Sequence, residues 1–267
     1  PTTGRATRLS AAREDAAAEI GAVPEHITFP TADDAVAHGL YYPPTSATHV
    51  GPDDERPPLV VLTHGGPTSA ARTTVNGTAQ YWTSRGFAVV DVNYRGSVGY
   101  GRAYRDALRG SWGIHDVADT IAATRQLVAQ GLADPDRLII EGGSAGGYTT
   151  LLALCTTDTF AAGGSLFGVA DLRALATDTH KFESRYLDSM VGPWPEDEQV
   201  YVDRSPITHV ESLSTPMIVL QGDEDAVVPP AQAELIVAAL RRRGIPHAYI
   251  LFEGEQHGFR KAANITR

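Results

Sequence analysis

The chain has 267 residues, enough for one large domain whose core needs no covalent staples, and 42% hydrophobic with 20% charged residues is the composition of a globular protein. A formal net charge of -10 argues against nucleic acid or an anionic membrane as partner. The one cysteine, Cys155, excludes an internal disulfide framework, and the absence of a run of about 18 apolar residues excludes a predicted membrane span.

From Glu25 to Tyr42 the pattern predicts two short strands, Ile27-Thr28-Phe29 and Val36 to Tyr42, with Asp33-Asp34 as the turn. Pro43 to Pro58 is rich in Pro, Asp and Ser and reads as a surface loop. Then continuous apolar runs alternate with amphipathic stretches. The runs are Leu59 to Leu62, Phe87 to Val90, Leu138 to Ile140, Met217 to Leu220 and Tyr249 to Phe252. Uninterrupted apolar strands suit a parallel sheet covered on both faces. Between them, Val117, Ile121, Thr124 and Val128 share one helical face, and Gly131 stops that helix. Pro230 opens another helix, whose apolar positions include Leu235, Ile236 and Leu240. Arg241 to Arg243 and then Gly244 close it, the arginines reading as a solvated last turn that complements the helix dipole. Strand, helix, strand, helix with short turns predicts a doubly wound, mostly parallel α/β sheet with helices on both faces. Cys155 reads as a small core residue.

The chemistry centres on Gly142-Gly143-Ser144-Ala145-Gly146, set between the run ending at Ile140 and a helix from Tyr148 to Leu154. G-x-S-x-G in that context is the mark of a nucleophile elbow, where a sharp turn pushes the serine hydroxyl out at the end of the sheet. A serine hydroxyl needs a base, an acid to orient that base, and donors for the oxyanion. In α/β-hydrolases the chain order is Ser, Asp or Glu, His. After Met217 to Leu220 come three candidate carboxylates, Asp223, Glu224 and Asp225. After Tyr249 to Phe252 comes His257, the one among nine histidines that directly follows the last strand with a glycine after it. His64 follows the first core strand and fits the oxyanion loop Thr63-His64-Gly65-Gly66-Pro67 better than the base. Backbone N–H groups of that Gly-Gly turn and of Ala145 supply the expected oxyanion donors. No His/Cys/Asp/Glu cluster has metal-ligand spacing, so neither a metal nor an organic cofactor is expected.

These residues, with Asn93-Tyr94-Arg95-Gly96-Ser97-Val98-Gly99-Tyr100-Gly101 and Trp112-Gly113 ahead of Asp116, resemble the catalytic domain of the prolyl oligopeptidase family of serine peptidases. The likeness runs from about Ile27 to Arg260 and is greatest to the acylaminoacyl-peptidase and dipeptidyl-aminopeptidase-like branch. The resemblance implies an α/β-hydrolase fold, Ser144 as nucleophile, Asp225 as orienting acid and His257 as base. The family's acid motif, Gly, two variable residues, Asp, two variable residues, Val, laid on Gly222 selects Asp225 over Asp223 and ends at Val228. It implies an oxyanion hole from the Gly66 and Ala145 N–H groups. Some relatives use a tyrosine hydroxyl where this chain has His64, so no tyrosine donor is expected from this loop. Val228 and aromatic residues near the elbow, Tyr148 among them, are expected to shape the substrate pocket. Tyr148 reads equally as a core residue of its helix.

The implied activity is hydrolysis of peptide or amide bonds in short peptides or acyl- and aminoacyl-amides. An esterase or small-amide hydrolase, and a non-catalytic binding scaffold, are the competing readings. By resemblance, residues 1–24 are a linker or N-terminal extension and 25–267 a catalytic domain. That domain is expected to be a portion of a longer peptidase that carries a β-propeller before it and a helix after it. A cytoplasmic location is expected.

Overall fold

The first two strands, β1 (Glu25–Pro30) and β2 (Val36–Tyr42), fold back on each other through Asp33 and Asp34. Both aspartates are left-handed, with φ of 64° and 53°, a conformation that aspartate tolerates better than most side chains. The hairpin is antiparallel, with Ile27 opposite Gly39. A computed structural model of the protein describes residues 21–52, 54–178 and 185–267; residues 1–20 of the expected extension (1–24) lie outside the described residues.

After the surface loop the alternation begins: β3 (Leu59–Thr63), α1 (Gly77–Thr83), β4 (Ala88–Asn93), α2 (Arg102–Asp106), α3 (His115–Ala129), β5 (Leu138–Gly143) and α4 (Ala145–Thr156). It continues with β6 (Ala162–Leu166), α5 (Leu172–Asp178), α6 (Tyr186–Met190) and α7 (Glu198–Arg204). A 3-10 stretch, Pro206–Ser212, leads to β7 (Met217–Gly222), α8 (Pro230–Arg243), β8 (His247–Phe252) and α9 (Ala262–Ile265). All these strands join the hairpin in one eight-stranded sheet of order β1-β2-β4-β3-β5-β6-β7-β8. β2 meets β4 antiparallel, and the six strands from β4 to β8 are parallel. Every residue of β3 and β4 is buried. Both strands are therefore covered on two faces, which is why their sequence is apolar without alternation. Burial of each Val or Leu side chain there contributes about 1.5–3 kcal/mol.

Strand order turns back at β3, which has β4 on one side and β5 on the other. The loops leaving β3 and β5 diverge at such a point and open a crevice at the carboxyl ends of the strands. The oxyanion loop and the serine turn leave those two strands.

Two features differ from the sequence expectation. β6, Ala162–Leu166, has no apolar run to announce it. Its small residues answer to packing: a Cβ on Gly163 would overlap the Leu154 side chain of α4, so the strand stays thin to let that helix approach. The inward face of α3 is also rotated from the Val117, Ile121, Thr124, Val128 stripe. Burial centres on Val117, Thr120, Ala123, Thr124 and Leu127, with Asp116 and Asp119 also inside, while Ile121 and Val128 are only partly covered. Thr120 and Ala123 let the helix sit close to the sheet, and the two aspartates are drawn in by partners described below.

The arginine run at the end of α8 takes surface pairs: Arg242 and Arg243 both reach Glu211, at 2.8 and 3.0 Å. Cys155 is buried, and burial pushes its thiol up to about 12, as suits a core residue. Among the described residues, no helix is long and apolar enough to cross a membrane. The mostly parallel sheet with helices on both faces is the expected α/β-hydrolase arrangement.

Candidate active site

Ser144 joins β5 to α4 with φ 57° and ψ -122°, outside the regions a non-glycine residue ordinarily occupies. Such a conformation costs roughly 1–3 kcal/mol and persists only where the surroundings enforce it. Here the surroundings are backbone packed on backbone. A Cβ on Gly142 would overlap the Thr63 hydroxyl, and one on Gly146 would overlap the Thr63 carbonyl oxygen. A Cβ on Gly147 would stand 2.6 Å from the Gly168 Cα. The glycines let α4 start directly against β3 and β6, and the serine turn is what remains.

The structure brings Ser144, His257 and Asp225 together. His257 Nε2 lies 2.9 Å from Ser144 Oγ, and its Nδ1 lies 2.8 Å from Asp225 Oδ2. With Nδ1–H donating to the carboxylate, Nε2 is left to accept the serine proton. Of the three candidate carboxylates only Asp225 reaches the imidazole. Its Oδ1 accepts the Val227 and Val228 amides, each at 2.9 Å, and the buried Gln221 amide lies 3.4 Å from Oδ2. Asp223 instead accepts the Gly254 amide at 2.7 Å, shaping the histidine loop. Glu224 is exposed.

Gly66 and Ala145 both border the serine, and neither amide donates to a protein acceptor among the described residues. Ala145 is the first residue of α4, where N–H groups have no intrahelical partner. Both are thus free to serve an oxyanion.

The Asn93 to Ser97 segment braces this loop from beneath, a role the sequence did not reveal although the motif was in view. Tyr94 is wholly buried and its hydroxyl donates to the carbonyls of His64 and Pro67, at 2.9 and 3.1 Å. His64 stacks on the Tyr94 ring, with centroids 4.3 Å apart. Burial lowers its pKa to about 4, so the ring is neutral at pH 7. Its Nδ1 lies 2.8 Å from the Gly65 carbonyl and its Nε2 2.8 Å from Ser97 Oγ, which is itself 2.7 Å from the Tyr94 carbonyl. Asn93 accepts the Ala71 amide at 2.8 Å further along the same loop. Arg95 forms a buried pair with Asp119 at 2.8 Å, which explains the inward turn of that face of α3. Asp116 accepts Thr149 of α4 at 2.6 Å and the Gly113 amide at 2.7 Å.

The histidine loop has a staple of its own, also missed in the sequence. Glu255 accepts the amides of Arg260 and Lys261 and the Asn264 side chain, at 2.9, 2.8 and 2.8 Å. Burial raises this carboxyl, but the donors outweigh it and hold its pKa below the ordinary value. Its position two residues before the base was the available signal. Phe167 stands edge-on to His257, ring centroids 4.8 Å apart.

Beside the serine lies a small recess of about 40 Å³, walled by Trp112, Val169, Leu175, Tyr186, Leu187 and Val228 among others. Val228, which the resemblance placed in the substrate pocket, lines this recess. Tyr148 does not: it is wholly buried, its ring against Trp112 and its hydroxyl donating to the Arg204 carbonyl at 2.9 Å. It stands behind the wall, so its reading as a pocket residue is corrected to that of a core residue. The described residues include no His/Cys/Asp/Glu group able to hold a metal ion.

Comparison with known proteins supports the same chemistry. Dipeptidyl aminopeptidase BIII of Pseudoxanthomonas mexicana is 35% identical over 226 residues, which cover 82% of this chain and 32% of that protein. The structure of a puromycin-hydrolyzing peptidase of Mycobacterium tuberculosis matches with a TM-score of 0.90 and 48% identity, over 91% of this chain and 37% of that one. Pyrococcus horikoshii acylaminoacyl peptidase matches with a TM-score of 0.82 and 26% identity, over 89% of this chain and 38% of that one. The chain thus spans about a third of the length of the relatives it matches. The model of the prolyl oligopeptidase family matches residues 73–267, from before α1 through the serine turn to the end, and the chain belongs to that family.

Proposed function

We propose that these residues form the catalytic domain of a serine peptidase that hydrolyses amide bonds in short peptides through an acyl-enzyme on Ser144. The observation that carries this reading is the unbroken hydrogen-bonded line from Asp225 through His257 to Ser144 on a strained turn. In it, Ser144 attacks the carbonyl while His257 Nε2 takes its proton. Asp225 holds the imidazole in the required tautomer and stabilises its charged form. The oxyanion settles on the Gly66 and Ala145 amides, His257 protonates the leaving amine, and water reverses the sequence to release the acyl group. Removing one oxyanion donor typically costs on the order of 100- to 1,000-fold in turnover.

The recess wall sets the side chain accepted next to the cleaved bond. Among the described residues it holds no ionised side chain, which favours an apolar or aromatic group. The names of the relatives, an aminopeptidase, an acylaminoacyl peptidase and a puromycin-hydrolyzing peptidase, all concern amide cleavage. The reading includes a β-propeller domain elsewhere in the polypeptide, supported by the span of about a third of the relatives' length, and a cytoplasmic location.

The test is a parallel assay on peptide anilides and short-chain esters, with fluorophosphonate labelling. Wild type is expected to cleave the anilides and to label at Ser144, and Ser144→Ala to do neither. Ester turnover without anilide turnover would overturn the peptidase reading, and a folded protein that does not label would overturn the hydrolase reading.

A further inference from the structure

We infer that Phe167 is a positioning residue for the base: its ring, carried on a strained turn at the end of β6, holds the His257 imidazole in line with Ser144. The inference rests on the peptidase reading of that triad. Phe167 has φ 41°, in the left-handed region where glycine is ordinarily found. A bulky side chain there is an outlier that the surroundings have to enforce. Those surroundings are the strands that carry the rest of the triad. Leu166, the residue before it, accepts the Ser144 amide at 3.0 Å. The Phe167 amide donates at 2.7 Å to the Leu220 carbonyl of β7, the strand that leads to Asp225. Gly168 then passes so close to Gly147 of α4 that a Cβ on either would overlap the backbone of the other. The chain turns sharply between these contacts, and the turn sets the Phe167 ring against Gly143 and His257.

What the ring does there follows from what else holds the imidazole. Asp225 anchors His257 at Nδ1, 2.8 Å away, and the His257 side chain keeps 23% of its surface exposed. One hydrogen bond fixes a point on the imidazole but not its plane, because the last torsion of a histidine is broad. Phe167 supplies the second contact, with ring centroids 4.8 Å apart and planes at 61°. It is backed by Phe259 at 5.4 Å, and Phe259 by the buried Phe252 of β8 at 4.6 Å. This aromatic series ties the end of β6 to the loop that carries the base. Phe167 itself is only partly buried and lines the open cleft over Ser144 and His257. A phenyl group strained at its backbone and partly exposed at its ring gives folding less than a core phenylalanine would. Its return is in the geometry of the base, where a displacement of about 1 Å can slow a reaction on the order of 100-fold.

The test measures anilide turnover and the rate of fluorophosphonate labelling in four variants, well below their melting temperatures. Phe167→Leu, Phe167→Ala and Phe167→Gly lack the ring. Each is expected to lose on the order of 10- to 100-fold in kcat and in labelling rate, with KM changed by less than about threefold. Phe167→Tyr keeps the ring and is expected to stay within about threefold of wild type. Glycine carries no strain at this φ, so Phe167→Gly is expected to melt above Phe167→Ala while being no more active. Should Phe167→Leu fail to fold, Phe167→Gly reads the same loss. Wild-type kcat in the folded ringless variants, a loss confined to KM, a Phe167→Tyr loss as large as that of Phe167→Leu, or a glycine variant melting no higher than the alanine one would overturn the inference. Each of those results leaves the peptidase reading standing. Wild type that labels without cleaving anilides would overturn the peptidase reading alone, the labelling rates still testing Phe167. Wild type that neither labels nor cleaves would overturn both.

Discussion

The two halves of the catalytic line are held in place by opposite means. Ser144 sits at the centre of the sheet, and what positions it is main chain: Gly142, Gly146 and Gly147 are pressed against Thr63 and Gly168 with no room for a side chain. His257 leaves β8, an edge strand with Ala248 and Leu251 exposed, and what positions it is a set of carboxylates collecting amides. Asp225 takes two amides, Asp223 one, and Glu255 two amides and an asparagine. A close-packed backbone has one arrangement or none, whereas hydrogen-bonded loops weaken by steps and respond to charge. Substitutions on the two sides should therefore fail differently.

The largest effect is expected on the base side, from Asp225→Asn. The new amide keeps the shape but donates toward His257 Nδ1, forcing its proton onto Nε2, where the base must accept. Turnover is expected to fall on the order of 10,000-fold with a nearly unchanged melting temperature. Retained turnover would show that the carboxylate does not set the tautomer.

Next comes Gly146→Ala on the elbow side. One methyl group has to displace the Thr63 carbonyl, on the strand that also carries the oxyanion loop. Overpacking of this kind costs typically 1–3 kcal/mol, and the upper end is expected here because the colliding atom is backbone. The melting temperature should drop by roughly 5–10 °C together with fluorophosphonate labelling. Loss of labelling without loss of stability would mean that the glycine serves the chemistry alone.

Glu255→Gln should be milder and local. The carbonyl of the new side chain can keep the Lys261 and Asn264 donors at one oxygen position, but its NH₂ then faces the Arg260 amide. A loss of about tenfold in kcat is expected, with the melting temperature falling less than for Gly146→Ala. The pH dependence has a definite sign. Because the folded pKa of Glu255 is lowered, the carboxylate stabilises the loop above its ordinary value and that support is lost as pH falls through the folded value. Wild type should thus lose its advantage over the variant in acid.

The same contrast explains how much the sequence disclosed. The elbow was legible because steric exclusion leaves a glycine signature at fixed spacing, and β3 and β4 because two-sided burial leaves apolar runs. Asp225 needed the resemblance, since three adjacent carboxylates are equivalent until the backbone turns Val227 and Val228 toward one of them. Glu255 stands two residues before the base, but a carboxylate that accepts amides in a tight loop reads like any polar surface residue, and the contact of Ser97 with His64 is made only by the fold. Tyr148 misled for the opposite reason: an aromatic residue one turn past the nucleophile faces either pocket or core, and only the position of Trp112 decides which. β6 escaped because its constraint was thinness rather than hydrophobicity.

The smallest expected effect concerns the buried carboxylate behind the elbow, and it separates the two sides by pH. Burial raises the pKa of Asp116 to about 6, against the lowering effect of its bonds from Thr149 and Gly113. A carboxyl with a raised folded pKa binds its proton more tightly folded than unfolded. Stability therefore falls as pH rises from about 4 through 6 and stays lowered above it. Asp116→Asn keeps both contacts: the amide oxygen accepts from Gly113, and the NH₂ donates to Thr149 Oγ1, whose own proton turns to the Ala145 carbonyl, 3.2 Å away. The variant should melt several degrees above wild type at pH 8, with the gap closing as pH falls from 6 toward 4, while Glu255→Gln closes its deficit only at still lower pH. A gap for Asp116→Asn that is the same at pH 8 and pH 4 would mean that the carboxyl is already neutral, or already compensated, behind the serine turn.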